Sequence, residues 1–174
     1  VVPVYFWFPR DFGKAICQSE SFNYRKKHFQ GKHDEIYCIS LKSNLNNQIP
    51  DWCKIKKFLK TKQKDKINIL YGKDKTGNLY NLDNIIYLRD KFKYNKCDFV
   101  TGDGGFDYSI DFNKQEQLSY RLLFSEIVSA FSILKIGGHF VLKIFEVHTH
   151  LTVQFIYLLY RFFDNVSIMK PYIS

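Results

Sequence analysis

Segments typical of strands alternate with segments of helical periodicity along the whole of this chain. Apolar segments of strand length cover 4–8, 35–41, 67–71, 139–145 and 166–169, and a further one leads up to Asp103. Helices are predicted near Ala15 and over 51–59, 82–92, 113–136 and 151–163, the longest of them ended by the glycine pair at 137–138. Such alternation predicts a single α/β domain over 1–174, with a mostly parallel sheet and helices on both faces.

The segment 97–107 combines a buried strand with an acidic residue set among glycines. Phe99 and Val100 are its apolar part, and Asp103 follows where the strand ends. The glycines on both sides of Asp103 let the backbone bend and let another molecule come close. Because open α/β sheets bind their ligands beyond the carboxyl ends of their strands, Asp103 is a candidate site residue.

Lys143 interrupts the otherwise apolar strand predicted over 139–145. A buried lysine is costly unless it is paired or reaches a wet cleft. One interpretation is that Lys143 extends to the strand end and has no further role. The functional interpretation is that it faces Asp103 on the neighbouring strand, where it accepts a proton from a hydroxyl while Asp103 holds it in position.

The charge of the chain favours a polyanionic partner, nucleic acid first. There are 26 Lys and Arg residues against 17 Asp and Glu, a formal charge of +9, although a general bias toward Lys, Asn and Ile is the alternative explanation. The four cysteines are widely spaced, which indicates reduced thiols in an intracellular protein. No apolar segment reaches membrane-spanning length, and His148 and His150 alone do not make a metal site. Motifs of hydrolases, zinc proteases and P-loop proteins do not occur.

Three motifs occur in an order that resembles the FtsJ-like ribose methyltransferases. They are Asp103-Gly104-Gly105-Phe106, Asn113-Lys114-Gln115-Glu116 and the segment from Lys135 to Lys143. Within that family the chain looks most similar, over about 4–173, to the mRNA cap 2′-O-methyltransferases of eukaryotes and large DNA viruses. The resemblance implies a Rossmann-like, S-adenosylmethionine-dependent methyltransferase fold. It also implies a Lys-Asp-Lys-Glu tetrad in which Asp103 is the acid and Lys143 the proton acceptor.

The same resemblance implies two sets of binding residues and no metal. The residues implied for S-adenosylmethionine are Pro9, Phe12, Gly13, Leu41, Asn78, Leu79 and Asp103. Those implied for RNA are Arg25, Lys26, Asn113, Gln115 and Glu116. For the basic stretch at Arg25 a solvated loop is an equal alternative, because phosphate contacts carry no sequence signature of their own.

The chain departs from the family pattern in four places. Arg10 and Asp11 stand where the family has two glycines next to the cofactor, and Asn78 stands where an acid is usual. Asn78 still accepts a hydrogen bond, but without the strength that charge adds. The first tetrad lysine is expected before residue 1, and the tetrad glutamate and the last strand beyond 174. We therefore expect a domain truncated at both ends.

The function predicted from these residues is methylation of a ribose 2′-hydroxyl in the cap region of mRNA. The expected partner is capped mRNA rather than a membrane, and the expected location is the cytoplasm or nucleus, or a viral factory if the protein is viral. One alternative is a catalytically inactive methyltransferase fold that binds RNA or serves as a scaffold, which Arg10 and Asp11 favour. A further alternative is a ribosomal RNA ribose methyltransferase.

Overall fold

The computed structural model describes residues 4–7, 35–42, 67–105 and 114–170, and gives the backbone alone at 4–7 and 67. The strands are β1 (Val4–Trp7), β2 (Glu35–Ile39), β3 (Ile67–Leu70), β4 (Cys97–Gly102) and β5 (Leu134–Leu142). The helices are α1 (Leu82–Lys91), α2 (Gln115–Ile133) and α3 (His150–Phe162). The helices predicted near Ala15 and over 51–59 lie outside the described residues.

The five strands in the described residues form one sheet in the order β3-β2-β1-β4-β5, and every neighbouring pair is parallel. Short apolar runs such as Ile36–Ile39 form these strands because a parallel sheet is buried on its faces. Since all strands point the same way, their carboxyl ends share one edge. The strand order turns between β1 and β4, which is where ligands bind in such sheets. The predicted Rossmann-like α/β fold is confirmed.

The three described helices pack as one layer. The chain leaves β3, returns across the sheet through α1 to β4, and continues through α2 to β5 in the same direction. Right-handed crossovers put helices with that direction on the same face, and α2 contacts both α1 and α3. The connections from β1 to β2 and from β2 to β3 lie outside the described residues.

The core lies between this helical layer and the sheet. Ile39 and Val100 from the strands meet Leu88 of α1 and Ile133 of α2, and all four are fully buried. Helix α1 begins at a polar cap, because the side chain of Asn81 accepts the backbone N–H of Asp83 at 3.0 Å. Packing of this kind fixes β4 and α2 against each other, and both elements reach the candidate site.

The predicted end of the longest helix is wrong. Helix α2 ends at Ile133 rather than at 136, and strand β5 begins at the next residue. Gly137 has a φ of 72° and lies inside β5, where the pairing with β4 shifts register between Cys97 and Phe99. Glycine is common both at helix ends and in β-bulges, so the glycine pair alone does not distinguish these two structures.

Two further strand predictions are corrected. Strand β5 ends at Leu142, so Lys143 follows the strand instead of interrupting it, and its backbone N–H still donates to the Gly102 carbonyl at 2.8 Å. The segment 166–169 is not a strand, and Met169 there is 85% exposed. Apolar alternation predicts a strand only where a neighbouring strand is present to pair with it.

Candidate functional site

Asp103 and Lys143 meet at the carboxyl edge of the sheet. Each directly follows a strand, Asp103 after β4 and Lys143 after β5, and these two strands are neighbours. The Lys143 Nζ lies 2.7 Å from the Asp103 Oδ1. The structure therefore brings together the two residues predicted as catalytic, although their chemical roles stay predictions.

The two side chains of this pair differ in their access to solvent. The Asp103 side chain is 11% exposed, whereas the Lys143 side chain is 47% exposed. The Lys143 Nζ also lies over the Phe145 ring, 5.4 Å from its centroid, a contact worth about 0.5–1 kcal/mol at an exposed position. The ammonium group is thus held from two sides and still open to a substrate on another.

Glu126 of α2 lies directly beneath this pair and was not predicted from the sequence. Its side chain is buried, with 1% of the residue exposed, and its Oε1 accepts the backbone N–H of Gly104 at 2.8 Å. Burial raises the pKa of Glu126 to about 8, and the Asp103 charge adds to that rise, against the opposing effects of the Gly104 hydrogen bond and of Lys143. Near neutral pH this carboxyl therefore holds its proton. A charged residue within the apolar stripe of a helix was the sequence signal that could have revealed it.

The glycines around Asp103 make room for Glu126. A Cβ on Gly104 would lie 2.7 Å from the Glu126 Oε1, and one on Gly102 would lie 3.2 Å from the Glu126 Cδ. A side chain of the same chain therefore makes the close approach seen at these glycines, and the approach of another molecule stays a prediction. A larger residue at position 104 would require the ends of the Glu126 and Leu122 side chains to shift.

Part of the predicted cofactor set gathers at the ends of β2 and β3. The backbone N–H of Lys42 donates to the Thr76 carbonyl at 2.8 Å and joins the two segments. Gly77 has a φ of 73°, and a Cβ there would lie 1.7 Å from the Ser40 carbonyl oxygen. Leu41, Asn78 and Leu79 are brought together by this close backbone approach. Pro9, Phe12 and Gly13 lie outside the described residues.

The loop that carries Asn78 is held by Asp74. The Asp74 carboxylate accepts the backbone N–H and the hydroxyl of Thr76 at 2.9 and 2.7 Å, and the side chains of Asn81 and Asn84 at 2.8 Å each. Hydrogen bonds from Thr76 are the main cause that lowers the pKa of Asp74 far below its usual range. The Asn78 Oδ1 accepts the backbone N–H of Tyr80 at 2.9 Å, so part of its hydrogen-bonding capacity serves the loop itself.

Of the residues predicted to bind RNA, the structure describes Gln115 and Glu116, whereas Arg25, Lys26 and Asn113 lie outside. Gln115 is half-buried at the start of α2. The buried Glu116 carboxylate accepts the backbone N–H of Thr149 at 3.0 Å, its hydroxyl at 2.7 Å and the backbone N–H of His148 at 3.2 Å. An RNA contact stays a prediction for both residues, and the contacts seen for Glu116 tie α2 to the segment before α3.

The described part of the chain contains no group of three or more His, Cys, Asp or Glu residues placed to hold a metal ion. Each helix in this part is too short or too polar to cross a membrane.

A Rossmann-like sheet that presents a lysine–carboxylate pair at its carboxyl edge defines an α/β domain with a ligand site at that edge. Comparison with known families specifies this class further. The sequence model of the FtsJ-like methyltransferases matches residues 25–174, and the chain belongs to this family.

Several curated proteins are similar to the chain over nearly three fifths of its length. It is 36% identical over 107 residues to cap-specific mRNA (nucleoside-2′-O-)-methyltransferase 2 of Drosophila melanogaster, which covers 60% of the chain. It is 37% identical over 102 residues to cap-specific mRNA (nucleoside-2′-O-)-methyltransferase 1 of Trypanosoma cruzi, and 39% identical over 108 residues to that of Mus musculus, covering 58% and 59% of the chain. The matches span 15%, 28% and 13% of these three proteins, respectively.

Proposed function

We propose that this chain is the methyl-transferring domain of an mRNA cap 2′-O-methyltransferase. The observation that carries the proposal is the Lys143–Asp103 pair, 2.7 Å apart at the carboxyl edge of a sheet of the FtsJ-like family. The names of the similar proteins support the cap region as the target in preference to ribosomal RNA. An enzyme that acts on mRNA works inside the cell.

The described residues fit S-adenosylmethionine as the cofactor. A nucleoside requires an apolar surface for its base and polar groups for its edge and ribose. Leu41, 37% exposed at the end of β2, and the half-buried Asn78 offer these two features on adjoining segments. When bound, the cofactor supplies the methyl group that passes from its sulfonium sulfur to the ribose oxygen.

In this proposal Lys143 receives the proton. Lys143 must first release its ammonium proton to solvent, and its amine Nζ then accepts the proton of the ribose 2′-hydroxyl as that oxygen becomes bonded to the methyl carbon. Asp103 keeps the Nζ in position, and its carboxylate balances the positive charge that Lys143 gains. Methyl transfer requires mainly that the protein position the reacting groups and stabilise charge. The fixed geometry of Lys143 and Asp103 is therefore the main contribution of the chain.

Replacing Lys143 in the full-length protein tests this role directly. We expect Lys143→Ala to lower the rate of methyl transfer to capped RNA by about a hundredfold or more, the usual loss when a general base is removed. Lys135→Ala is the matched control, because Lys135 forms an ion pair with Asp98 across the same two strands, at the opposite end of the sheet. A Lys143→Ala protein as fast as the control would refute the proposal.

Two further measurements separate the alternatives. Calorimetric titration with S-adenosylmethionine distinguishes the enzyme, which binds it, from an inactive module that keeps only salt-sensitive binding of RNA. Methylation assays on a capped oligonucleotide and on fragments of ribosomal RNA distinguish the two substrate classes. Methylation of the ribosomal fragments alone would overturn the assignment to the cap.

A further inference from the structure

We propose that Glu126 is a positioning residue of this site, whose neutral carboxyl fixes the Asp103–Gly104 turn from beneath and so directs Asp103 at Lys143. This inference rests on the proposed function as far as catalysis is concerned. Its geometric part concerns the turn alone and can be tested without any activity. Glu126 comes from α2, so the helical layer takes part in a site otherwise built from strand ends.

The contacts of Glu126 point at the turn rather than at the surrounding core. Its Oε1 accepts the Gly104 N–H at 2.8 Å, one residue after Asp103. The carboxyl group lies in the space left by the missing side chains of Gly102 and Gly104, which it shares with Leu142 and Leu122, respectively. Glu126 therefore contacts the backbone on both sides of Asp103, and moving Glu126 would release the turn that aims the Asp103 carboxylate.

The surroundings of Glu126 favour its neutral form. The Oε2 atom is buried and has no hydrogen-bond partner among the described residues, which would leave a negative charge there poorly compensated. The titratable groups that act on it are Asp103 after β4, Lys143 after β5 and Tyr80 before α1, and Arg121 of the same helix lies over the Tyr80 ring. An ionised Glu126 would repel Asp103 and attract Lys143, and so would disturb the ion pair from both ends.

Two variants separate the hydrogen bond from the charge. Glu126→Gln keeps an oxygen acceptor for the Gly104 N–H and cannot ionise, whereas Glu126→Ala removes the acceptor. Ser129→Ala is the control, because Ser129 is equally buried one turn further along α2 and its hydroxyl donates at 2.6 Å to the Ser125 carbonyl of the same helix. All three are made in the full-length protein, and their folding is checked by thermal melting.

The first measurement is amide hydrogen exchange at Gly104. We expect faster exchange in Glu126→Ala, with wild-type protection in Glu126→Gln and in Ser129→Ala. The second is infrared absorption of the protonated carboxyl group near neutral pH, which we expect in the wild type and not in Glu126→Gln. Neither measurement depends on methyl transfer, so both still decide the inference if the proposed function fails. Unchanged exchange in Glu126→Ala, or an absent carboxyl band in the wild type, would overturn it.

The third measurement is the pH profile of methyl transfer. Misplacing a reacting group costs about tenfold to a hundredfold in rate, and we expect a fall of that order in kcat for Glu126→Ala. Glu126→Gln is expected to keep the wild-type kcat at neutral pH and to lose a decline on the alkaline side that the wild type shows as Glu126 ionises. If wild type and Glu126→Gln have superimposable pH profiles in an active protein, the neutral carboxyl has no part in positioning.

Discussion

Two buried glutamates on α2, Glu116 and Glu126, show how surroundings decide protonation. Burial opposes ionisation of both carboxyl groups. For Glu116, hydrogen bonds from Thr152, Thr149 and His148 outweigh burial and lower the pKa to about 2. Glu126 has one such bond and an adjacent carboxylate, so burial prevails and the pKa rises to about 8. One glutamate is thus a structural anion, and the other is a neutral group under the site.

The raised pKa of Glu126 predicts that the difference in stability between the wild type and Glu126→Gln depends on pH. The folded protein keeps this proton up to about pH 8, whereas an unfolded chain releases it near 4.5. The unfolded state therefore binds fewer protons in that window, and the contribution of Glu126 to stability falls as the pH rises through it. We therefore expect the melting temperature of Glu126→Gln, measured relative to that of the wild type, to increase from pH 5 to pH 8. A difference that is the same at both pH values would contradict the assignment.

Glu116 predicts the opposite dependence. Its lowered pKa means that it stabilises the fold above about pH 4.5 and that this contribution disappears as the pH falls toward 2. Glu116→Gln replaces one of two acceptor oxygens by an NH2 group and removes the charge that strengthens the remaining hydrogen bonds, so the variant should be destabilised by about 1–3 kcal/mol at pH 7. Urea unfolding at pH 7 and at pH 3 measures it, and the gap between variant and wild type should narrow at the lower pH.

At the scale of elements, the ends of β2 and β3 are joined through one glycine. Gly77 and Gly137 both have φ values near 70°, but a Cβ on Gly77 meets the Ser40 carbonyl oxygen at 1.7 Å, whereas nothing lies within 4 Å of one on Gly137. The two positions therefore share the same backbone strain and differ in the close approach of the next segment. That approach sets the relative placement of Leu41 and Asn78 at the candidate cofactor site.

This pair of glycines provides a matched test. We expect Gly137→Ala to lose about 1–2 kcal/mol of stability, the cost of the left-handed conformation, and to bind S-adenosylmethionine as the wild type does. Gly77→Ala should lose more stability and bind the cofactor much more weakly, since the loop must move away from Ser40. Chemical denaturation and calorimetric titration give the two quantities. Equal binding by both variants would exclude this loop from the cofactor site.

At the scale of the whole molecule, the sequence predicted the sheet and the two residues at its edge. The periodicity of apolar residues indicates which segments are buried. The local sequence therefore predicts a buried strand that ends at Asp103. Periodicity does not report which strands pair, so the sequence predicts a helix end at the glycine pair of β5 and a strand over 166–169. Periodicity also does not reveal the role of Glu126. That role depends on its contact with Gly104, which lies 22 residues away in the chain.

The net charge of the molecule predicts how the proposed binding of RNA depends on salt. With a formal charge of +9, binding to capped RNA should weaken with salt, since each phosphate contact by a basic residue releases counterions. If Arg25 and Lys26 each contact one phosphate, replacing either by alanine should reduce the slope of log affinity against log salt by about 0.7, the value for single strands. Fluorescence anisotropy with a capped oligonucleotide at several salt concentrations measures this slope.

Lys91 supplies the control for the charge experiment. It ends α1, away from the carboxyl edge of the sheet, and its Nζ lies over the Tyr37 ring, 5.1 Å from the centroid. Lys91→Ala removes the same single charge from the molecule, so any effect of net charge alone appears in this variant too. We expect its salt slope to equal that of the wild type, while the Arg25→Ala and Lys26→Ala slopes become shallower. Three equal slopes would show that the basic stretch is solvated and that RNA lies elsewhere.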